Sequence, residues 1–526
     1  MNTKIGVIIA TSMSRNDSLF NLSLKSVLLQ TQEPDCIVIV DDNNEERVSQ
    51  EIKNRIGQLA NPNVFYLKNI RTKNMSGTGA WNTGIDFLKN MIGTGGYVAI
   101  LDDDDSWDLN YLESIRNKMA ECAEAVAVFA YLKRSECPKI SAFTKDDLTI
   151  KRFLYGDPGI QGSNMCFRMD ALLAINGFDE QLASCTDRDL MIRFLKAFGN
   201  ERIAIIEKKL VNYFSHEDTV TNNYEKKEKG LDAFYRKHIR LFDAETLEES
   251  LRRAETLFKY PNSEEIRHLF QLSKRHIAVG IAVHNNKSTV RRCLNSVLRQ
   301  KNLKRSLSVV IADDNSTDDW MEEIHDLLPD ERVQIVHLTN NNVVETRNNI
   351  NYFIKKNISN VSIIGRLDAD DEYADEYVLS KIEEILDREN PDIILAGNYL
   401  RQEGRIIERK NIANRRFGED DYLLSRLKQM SEGNPEGELP SCNLFIKPKV
   451  LKPYPDIKSG EDHALLSDYL IHQEIYKIYF AEDLLLTIYN LDGLATMNNK
   501  QTENYIQSRK ELYQNAIEIC KTKKRD

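Results

Sequence analysis

Short apolar runs alternate with segments of helical spacing in the first part of the chain. Residues 5–10 and 36–40 are nearly continuous apolar runs, and residues 22–30 between them place apolar side chains at helical intervals. A buried strand of a parallel sheet has such a continuous run, whereas a helix packed against the sheet has a period of about 3.6 residues. The order strand, helix, strand therefore predicts an α/β fold with a mostly parallel sheet and crossover helices.

The same order of elements occurs a second time. Apolar runs at residues 276–282, 307–312 and 333–336 follow one another as the runs of the first half do. Similarity at a period of half the chain indicates duplicated domains, because the repeats of a solenoid are much shorter. We predict a first domain over residues 1–223, a helical linker over 224–274, a second domain over 275–500 and a C-terminal helix over 501–526.

Each half contains a strand that ends in a cluster of acidic residues. The run at residues 96–101 leads into four consecutive aspartates, and the run at 361–367 leads into three, with Ala369 in place of the second. Ligands bind at the carboxyl edge of open α/β sheets, and clustered carboxylates repel one another unless a cation lies among them. Such oxygen-rich clusters suit Mg²⁺ or Mn²⁺, which could bridge to the phosphates of a nucleotide. The acidic residues of the two clusters are Asp102, Asp103, Asp104, Asp105, Asp368, Asp370 and Asp371.

A calcium-binding EF-hand loop is the main alternative for the first cluster. Asp102, Asp104 and Glu113 fall at the first, third and twelfth positions of such a loop. The sixth position is Trp107, however, where the loop requires glycine, and a strand precedes the cluster where the motif needs a helix. The sequence therefore argues against an EF-hand.

A second acidic pair follows the second strand of each half. Asp41 and Asp42 occupy this position in the first half, and Asp313 and Asp314 occupy it in the second. Carboxylates there can accept hydrogen bonds from a base or a ribose hydroxyl. A single pair would more often cap a turn or a helix, but its repetition favours a functional role.

A third acidic position lies in the first turn of a later helix in each half. Asp187 opens one such helix, and Asp462 opens the other. An acid there complements the helix dipole, and taken alone this structural interpretation is favoured. Next to a bound sugar donor, the same carboxylate could act as a general base on a hydroxyl group.

Charge and cysteine usage exclude several classes of function. The 526 residues include 71 basic and 81 acidic side chains, a formal charge of −10, which disfavours broad nucleic-acid binding. Eight scattered cysteines without a CxxC pair fit reduced thiols in a cytosolic protein. We find no signal segment and no apolar run of about 18 residues, so we expect a cytoplasmic protein without a membrane span.

The acidic positions and the segments around them resemble a known family. The order Asp-Asp-Asn, Asp-x-Asp-Asp, Gly-Phe-Asp-Glu at residues 177–180, and an acid at a helix start is similar to inverting glycosyltransferases of the GT-A fold, family 2. The resemblance covers about residues 3–223 and 276–499. It implies two Rossmann-like GT-A domains in tandem, each binding a nucleotide sugar, joined by helices.

The resemblance also implies a role for each acidic position, with Asp42 and Asp314 facing the nucleoside. The implied donor-binding residues are Asp41, Asp42, Asp103, Asp313, Asp314 and Arg347. The implied ligands of Mn²⁺ or Mg²⁺ are Asp102, Asp104, Asp105, His216, Asp368, Asp370 and Asp371. The implied bases that activate the acceptor hydroxyl are Asp187 and Asp462.

Three segments depart from the family pattern. Thr186 stands where a glutamate often precedes the base, although the second half keeps Glu461. The helix signature remains Thr-Arg-Asn at residues 346–348 but reads Ala-Trp-Asn at residues 80–82. Pro-Tyr-Pro at residues 453–455 replaces the Gly-Phe-Asp-Glu segment in the second half.

From these features we expect a metal-dependent glycosyltransferase that moves sugars from nucleotide-sugar donors, UDP-sugars in particular, to a glycan or lipid-linked glycan. Two retained sets of acids favour two active sites in bacterial surface polysaccharide synthesis, a layout similar to chondroitin-type polymerases. Two alternatives stay open: the second half is a scaffold for binding or dimerisation, or the whole chain binds sugar nucleotides without catalysis. The basic cluster at residues 521–525 leaves open contact with the inner face of the plasma membrane, and a homo-oligomer is also open.

Overall fold

The computed structural model describes residues 3–73, 76–134, 142–214, 224–457, 459–493 and 503–523. The chain divides into two compact units, Met1–Leu269 and Phe270–Asp526. Each unit is built around one mixed, mostly parallel sheet with helices packed against it. The predicted α/β class with two sheets is therefore confirmed, while the predicted domain bounds stay a prediction.

The sheet of the first unit has the strand order β3-β2-β1-β4-β7-β6-β8-β5. Its strands are β1 (Ile5–Thr11), β2 (Cys36–Asp41), β3 (Val64–Lys68), β4 (Tyr97–Asp102), β5 (Ser106–Trp107), β6 (Ala127–Arg134), β7 (Met165–Arg168) and β8 (Ile203–Tyr213). The first four strands are parallel, and β7 runs antiparallel to both of its neighbours. The continuous apolar runs of β1, β2 and β4 are buried on both faces of the sheet, as expected for central parallel strands.

Helices connect these strands and continue beyond the sheet. In chain order they are α1 (Asn16–Ser18), α2 (Leu24–Leu28), α3 (Glu46–Gln58), α4 (Thr78–Ile92), α5 (Tyr111–Glu121), α6 (Ile150–Tyr155), α7 (Met169–Ala174), α8 (Thr186–Phe198), α9 (Tyr224–His238), α10 (Ala244–Phe258) and α11 (Ser263–Ser273). A π-helical turn at Leu19–Ser23 joins α1 to α2 and overlaps the start of the segment predicted as one helix over residues 22–30. The segment predicted as a helical linker contains the three helices α9, α10 and α11. Asp243 caps α10 by accepting a hydrogen bond from the backbone N–H of Thr246.

The sheet of the second unit has the order β11-β10-β9-β12-β16-β14-β17-β13, with β15 paired to β14. Its strands are β9 (His276–Val283), β10 (Ser306–Asp314), β11 (Val333–Leu338), β12 (Val361–Asp368), β13 (Glu372–Tyr373), β14 (Ile393–Gln402), β15 (Arg405–Asn411), β16 (Leu444–Ile446) and β17 (Ile478–Asn490). Its helices are α12 (Val290–Leu298), α13 (Val343–Asn357), α14 (Val378–Glu389), α15 (Asp420–Ser431), α16 (Glu461–Ile471) and α17 (Glu503–Lys523). Apart from β15, the strand order repeats that of the first unit position by position.

The strand register aligns the two units residue by residue. Asp102 at the end of β4 lies opposite Ala10 of β1, and Asp368 at the end of β12 lies opposite Ala282 of β9. Asp102 therefore corresponds to Asp368. This correspondence allows each side chain of one acidic edge to be compared with its counterpart in the other.

One packing contact between strand and helix is reversed between the units. In the first unit Ile8 of β1 packs on Gly84 of α4, where an added Cβ would lie 2.8 Å from Cγ2 of Ile8. The corresponding positions in the second unit are Gly280 and Ile350, and a Cβ at Gly280 would lie 2.5 Å from Cγ2 of Ile350. The large and the small residue have exchanged places, so both interfaces keep one isoleucine and one glycine.

The described cysteines are all free, as expected from their spacing, and most are buried; they are Cys36, Cys122, Cys166, Cys185, Cys293, Cys442 and Cys520. Among the helices that the structure describes, none has the length and apolar character to cross a membrane.

Candidate active sites at the carboxyl edges of the two sheets

The first acidic edge carries more negative charge than its basic neighbour can neutralise. Strand β4 ends at Asp102, and Asp103, Asp104 and Asp105 follow in the next turn. Arg15 donates a 2.5 Å hydrogen bond to Asp104 and lies 3.4 Å from Asp103. Burial, together with the neighbouring carboxylates, raises the pKa of Asp102 well above its usual range. A cation at this edge would relieve the repulsion.

Asp103 fixes the end of the first strand. Its Oδ2 accepts hydrogen bonds from the Thr11 hydroxyl at 2.8 Å and from the Ser12 backbone N–H at 3.2 Å. Burial and the charge of Asp104 raise the pKa of Asp103 to about 6. The structure thus gives this side chain a supporting contact, and its role toward the donor stays a prediction.

Asp105 and Asp371 make the same contact in the two units. Asp105 accepts a hydrogen bond from the backbone N–H of Phe214 at 3.0 Å, and Asp371 accepts one from that of Asn490 at 2.7 Å. Each bond ties the acidic turn to the end of the last long strand, β8 or β17. In the first unit the Ser163 hydroxyl also donates to Asp105, at 2.5 Å. Both acids therefore fix the shape of this edge, and their predicted roles as metal ligands remain untested.

Asp187 presents an unpartnered carboxylate oxygen inside the first unit. It lies in the first turn of α8, which begins after Cys185 in a left-handed conformation with φ of 63°. Its Oδ1 is buried and has no hydrogen-bond partner among the described residues. Burial, followed by the charge of Asp157, raises the pKa of Asp187 to about 8. A carboxylate in this state is suited to accepting a proton near neutral pH.

The first edge fits a divalent cation that is shared with a substrate. Within the described ranges, no three His, Cys, Asp or Glu side chains form a group able to hold a metal ion. The predicted ligand His216 lies outside the described residues. Mg²⁺ is commonly held by only one or two carboxylates, with phosphates and water completing its shell. Asp102 and Asp104, in the excess negative charge of this cluster, fit such a partial set.

Arginine side chains occupy the corresponding edge of the second unit. Nη2 of Arg347 lies 2.9 and 3.1 Å from the two carboxylate oxygens of Asp368, and its Nη1 contacts Glu461. Nη2 of Arg366 lies 3.3 Å from Asp368. These guanidinium groups lower the pKa of Asp368 although its burial alone would raise it. Asp368 thus has its counter-ions within the protein.

The predicted base of the second unit is held in the same network. Oδ2 of Asp462 accepts a hydrogen bond from the Ser441 hydroxyl at 2.8 Å and lies 3.5 Å from Nη2 of Arg366. Burial would raise the pKa of Asp462, but His463, Arg366 and Arg347 together hold it far below its usual range. Asp462 is therefore a much weaker proton acceptor than Asp187.

The second edge does not fit a divalent cation in the same way. The positions of Arg347 and Arg366 correspond to Trp81 and Ile100 of the first unit, which carry no charge. Burial and the charge of Asp368 raise the pKa of Asp370 to about 6, and burial together with the charges of Asp370 and Asp368 raises the pKa of Asp371 well above its usual range. Asp368 already has two cationic partners, whereas Asp102 forms no ion pair among the described residues, so the metal role predicted for Asp368 has less support than that of Asp102. The metal roles of Asp370 and Asp371 stay predictions.

The acidic pairs after the second strands turn toward the neighbouring strand. Asp41 is fully buried and accepts hydrogen bonds from Tyr66 at 2.9 Å and from Lys68 at 2.8 Å. Asp42 accepts one from Asn69 at 2.6 Å. Asp41 therefore supports the end of β2, and the donor contacts predicted for Asp41 and Asp42 stay predictions.

The second unit repeats this arrangement with different partners. Asp313 lies 3.3 Å from Nδ1 of His337, and Asp314 accepts 2.8 Å hydrogen bonds from the backbone N–H groups of Asn341 and Asn342. Asp314 also lines a cavity, as a residue that contacts a nucleoside should. Its contact with the donor is still a prediction.

That cavity has a volume of about 580 Å³ and lies wholly within the second unit. Its walls come from the ends of β9, β10 and β12 on one side and from the start of α16 on the other. Arg347, Asp368, Asp370 and Asp462 all line it. Its size falls in the range of small-molecule sites, and it brings four predicted site residues of this unit together with Asp314.

An asparagine holds the segment opposite each acidic edge. Asn82 exchanges two 2.9 Å hydrogen bonds with the backbone of Phe178, and Asn348 bonds the backbone of Tyr454 at 2.8 and 3.1 Å. The Pro-Tyr-Pro segment at residues 453–455 thus occupies the position of the Gly-Phe-Asp segment of the first unit, although the two sequences differ. The Ala-Trp-Asn and Thr-Arg-Asn signatures both preserve the residue that makes this contact.

Three arginines at these edges were not predicted as site residues: Arg15, Arg366 and Arg509. Arg366 interrupts an otherwise apolar strand run, and this irregularity is the signal that could have identified it. Arg15 lies in the loop after β1 and Arg509 in the C-terminal helix, where a single basic residue has no distinctive pattern.

Two segments of the chain, residues 8–173 and 278–452, match the family described as Glycosyl transferase family 2. A curated relative, the glucosyl-dolichyl phosphate glucuronosyltransferase of Haloferax volcanii, is 25% identical over 230 residues, which is 40% of this chain and 69% of the relative. The structure of S. aureus TarS 1-349 in complex with UDP-GlcNAc is 18% identical and covers 49% of this chain and 75% of its own, with a TM-score of 0.35. The mannosyltransferase PcManGT from Pyrobaculum calidifontis, solved with GDP-Man and Mn²⁺, is 15% identical and covers 51% of this chain and 74% of its own, with a TM-score of 0.36.

Two corresponding acidic sheet edges and two family segments define the class of a sugar-transferring enzyme. Because the matched segments span well over half of the chain, the protein belongs to glycosyl transferase family 2. It is a glycosyltransferase that uses a nucleotide sugar.

Proposed function

We propose that the first unit is a metal-dependent inverting glycosyltransferase in which Asp187 is the general base. The observation that carries this proposal is the excess charge at the end of β4, together with the unpartnered oxygen of Asp187. A site that only bound a sugar nucleotide would need no buried proton acceptor beside its acidic cluster. Asp102 and Asp104 would hold Mn²⁺ or Mg²⁺.

The reaction would be a single in-line displacement. Asp187 would take the proton of the acceptor hydroxyl as that oxygen forms a bond to the anomeric carbon. The bond from this carbon to the donor diphosphate would break, the diphosphate would leave with the electron pair, and the configuration would invert. When bound, the divalent cation would stabilise the negative charge of the leaving group.

We infer a UDP-sugar as the donor of the first unit. Asp42 lies at the end of β2, where a carboxylate can accept a hydrogen bond from a uracil N–H or a ribose hydroxyl. The acceptor would be a hydroxyl of a glycan or a lipid-linked glycan. Synthesis of a bacterial surface polysaccharide would need these substrates, and it would place the enzyme in the cytoplasm near the membrane face.

The second unit supports two different proposals. Its cavity of about 580 Å³ favours a second donor site, since four of the predicted site residues line it besides Asp314. In that case Arg347 and Arg366 would supply the positive charge that a cation supplies in the first unit. The opposing observation is the lowered pKa of Asp462, which favours a binding scaffold without transfer. We propose a second donor site and treat the scaffold as the alternative.

Assays of donor hydrolysis and of sugar transfer test these assignments. UDP-, GDP- and dTDP-sugars are offered with Mn²⁺ to the wild type, Asp187→Asn and Asp462→Asn. Removing a general base lowers turnover by about 10²- to 10⁴-fold, so Asp187→Asn should lose turnover of one donor while still binding it. The exposed Asp146→Asn and Asp483→Asn serve as matched controls in the two units.

The pattern of losses separates the proposals. Loss of a second, different donor in Asp462→Asn supports two active sites, whereas an unchanged rate in that variant supports the scaffold. Undiminished turnover in the variant carrying both substitutions would refute the assignment of the bases.

A further inference from the structure

The C-terminal helix forms part of the cavity wall in the second unit. Tyr505 and Arg509 of α17 line the cavity, although α17 lies beyond the family segment that ends at residue 452. The helix contributes to the site because it packs beside the start of α16, which carries Asp462. Residues outside the family segment therefore reach the same space as the predicted base.

Arg509 is fixed at the start of α16. Its Nη1 donates to the Ser459 hydroxyl at 3.3 Å and to the backbone carbonyl of Tyr505 at 3.2 Å. Its guanidinium carbon lies 3.4 Å from the centre of the Tyr505 ring. Gly460, which precedes α16 with φ of 78°, leaves space for it, because a Cβ there would lie 3.6 Å from Nη1. The guanidinium is therefore positioned before any ligand arrives.

The charge of Arg509 is not neutralised by any carboxylate among the described residues. Only 6% of the residue is exposed, and its Nε is buried without a hydrogen-bond partner in the described part of the chain. Across the same residues, no carboxylate forms an ion pair with it, whereas Arg347 and Arg366 of this edge both contact acids. The nearby Glu438 is engaged by Arg409 and by the hydroxyl of Tyr505. A buried, unpaired guanidinium is costly unless a ligand provides the anion.

The first unit has a related arrangement. There α9 follows the last long strand, as α17 does in the second unit, and the backbone carbonyl of Lys227 accepts a 3.5 Å hydrogen bond from Ser184. Ser184 lies two residues before α8, just as Ser459 lies two residues before α16. Both units therefore place the following helix next to the start of the helix that carries the predicted base.

We propose that Arg509 binds an oxyanion of the substrate in the second unit, either a phosphate of the nucleotide sugar or a carboxylate or phosphate of the acceptor. The planar guanidinium can hold such a group with two parallel hydrogen bonds. The inference rests on the proposed function in one respect, namely that the second unit binds a substrate in this cavity.

Binding measurements on the full chain test the inference with two pairs of probes. UDP is compared with uridine, and p-nitrophenyl β-glucuronide with p-nitrophenyl β-glucoside, by isothermal titration calorimetry. Loss of a charge-assisted hydrogen bond corresponds to about a tenfold or larger loss of affinity. Arg509→Gln should therefore weaken the charged member of one pair about tenfold and leave the neutral member unchanged. Weaker UDP binding identifies the donor as the source of the anion, and weaker glucuronide binding identifies the acceptor.

Two further variants control for a merely structural role. Arg509→Lys keeps the charge and should recover part of the affinity, and the exposed neighbour Lys510→Gln should match the wild type. Equal losses for charged and neutral probes, or charged-probe affinities within twofold of the wild type, would overturn the inference. If Arg509→Gln does not fold, Arg509→Lys decides: weaker binding of a charged probe alone supports the proposal, and unchanged binding of every probe overturns it. Because no turnover is required, this result is independent of whether Asp187 and Asp462 act as bases.

Discussion

Arg347 holds Asp368 through one nitrogen that lies 2.9 and 3.1 Å from the two carboxylate oxygens. In the first unit, Trp81 stands in the place of this arginine and Asp102 in the place of the aspartate. The same acidic position is thus neutralised by a fixed guanidinium in one unit, whereas in the other it has no comparable partner among the described residues. The two edges should consequently differ in their demand for a cation.

We expect one Mn²⁺ per chain in the presence of UDP, and we expect Asp104→Asn to abolish its binding. The double variant Arg347→Trp/Arg366→Ile, which gives the second edge the residues of the first, should bind a second Mn²⁺ because Asp368 loses both counter-ions. Titration calorimetry or the EPR signal of free Mn²⁺ measures the stoichiometry, with Asp146→Asn as the control. Two ions bound to the wild type, or none gained by the double variant, would contradict this picture.

Asp189 should make the first unit sensitive to acid. It is fully buried, and it lies 2.9 Å from Nε2 of His238, 2.6 Å from Nζ of Lys237 and 2.8 Å from Nη2 of Arg193. Burial alone would raise the pKa of Asp189, but the contacts with His238, Arg193 and Lys237 lower it to a value well below the usual one. Because the folded pKa lies below the unfolded value of about 3.9, this stabilisation is present above about pH 4 and is lost as the pH falls toward the folded pKa.

Asp189→Asn should therefore lower the free energy of unfolding at pH 7 by about 3 kcal/mol and flatten its decline below pH 4. Urea unfolding followed by circular dichroism at several pH values measures both effects. Glu225→Gln, which breaks an exposed ion pair with Lys229, should change little. A decline below pH 4 that is as steep in Asp189→Asn as in the wild type would assign the acid sensitivity to other groups.

The exchanged isoleucine and glycine predict a compensated double variant. Gly84→Ile alone should destabilise the first unit by about 3 kcal/mol, because its side chain would overlap that of Ile8. Ile8→Gly/Gly84→Ile reproduces the arrangement of Gly280 and Ile350 and should recover much of this loss. A double-mutant cycle by chemical denaturation measures the coupling, and simple additivity of the two single effects would disprove the exchange.

The asparagine contacts predict equivalent effects in the two units. Asn82→Ala and Asn348→Ala each remove an amide that bonds both backbone groups of one residue, and each should cost about 2 kcal/mol. Hydrogen exchange of the Phe178 and Tyr454 amides should accelerate in the respective variant. The exposed Asn54→Ala provides the control, and unaltered exchange at both amides would show that other contacts hold these segments.

The succession of strands and helices along the chain and the acidic edges could be predicted because they depend on local patterns. Continuous apolar runs identify β1, β2 and β4, and the aspartates that end β4 and β12 follow directly in the sequence. The repetition of these patterns was sufficient to predict two α/β sheets and the family, and both predictions are confirmed. The metal ligands, the donor contacts and the bases remain predictions.

The balance of charge at each edge could not be predicted, because it depends on side chains that are distant in sequence. Arg366 reaches Asp462 across 96 positions, and Arg347 reaches Glu461 across 114. Asp187 and Asp462 have the same position on their helices, yet their pKa values shift in opposite directions. Sequence position located the two acids, whereas only the folded chain shows their electrostatic surroundings.

The reversed contact of Ile8 and Gly84 also bears on how the two halves can evolve. Recombination that joined β1 to α13 would bring together the two isoleucines, Ile8 and Ile350. Recombination that joined β9 to α4 would bring together the two glycines, Gly280 and Gly84. The first product would be overpacked, and the second would contain a void, so either hybrid sheet would be weakened. Exchange of these segments between the halves would therefore cost stability at this one contact.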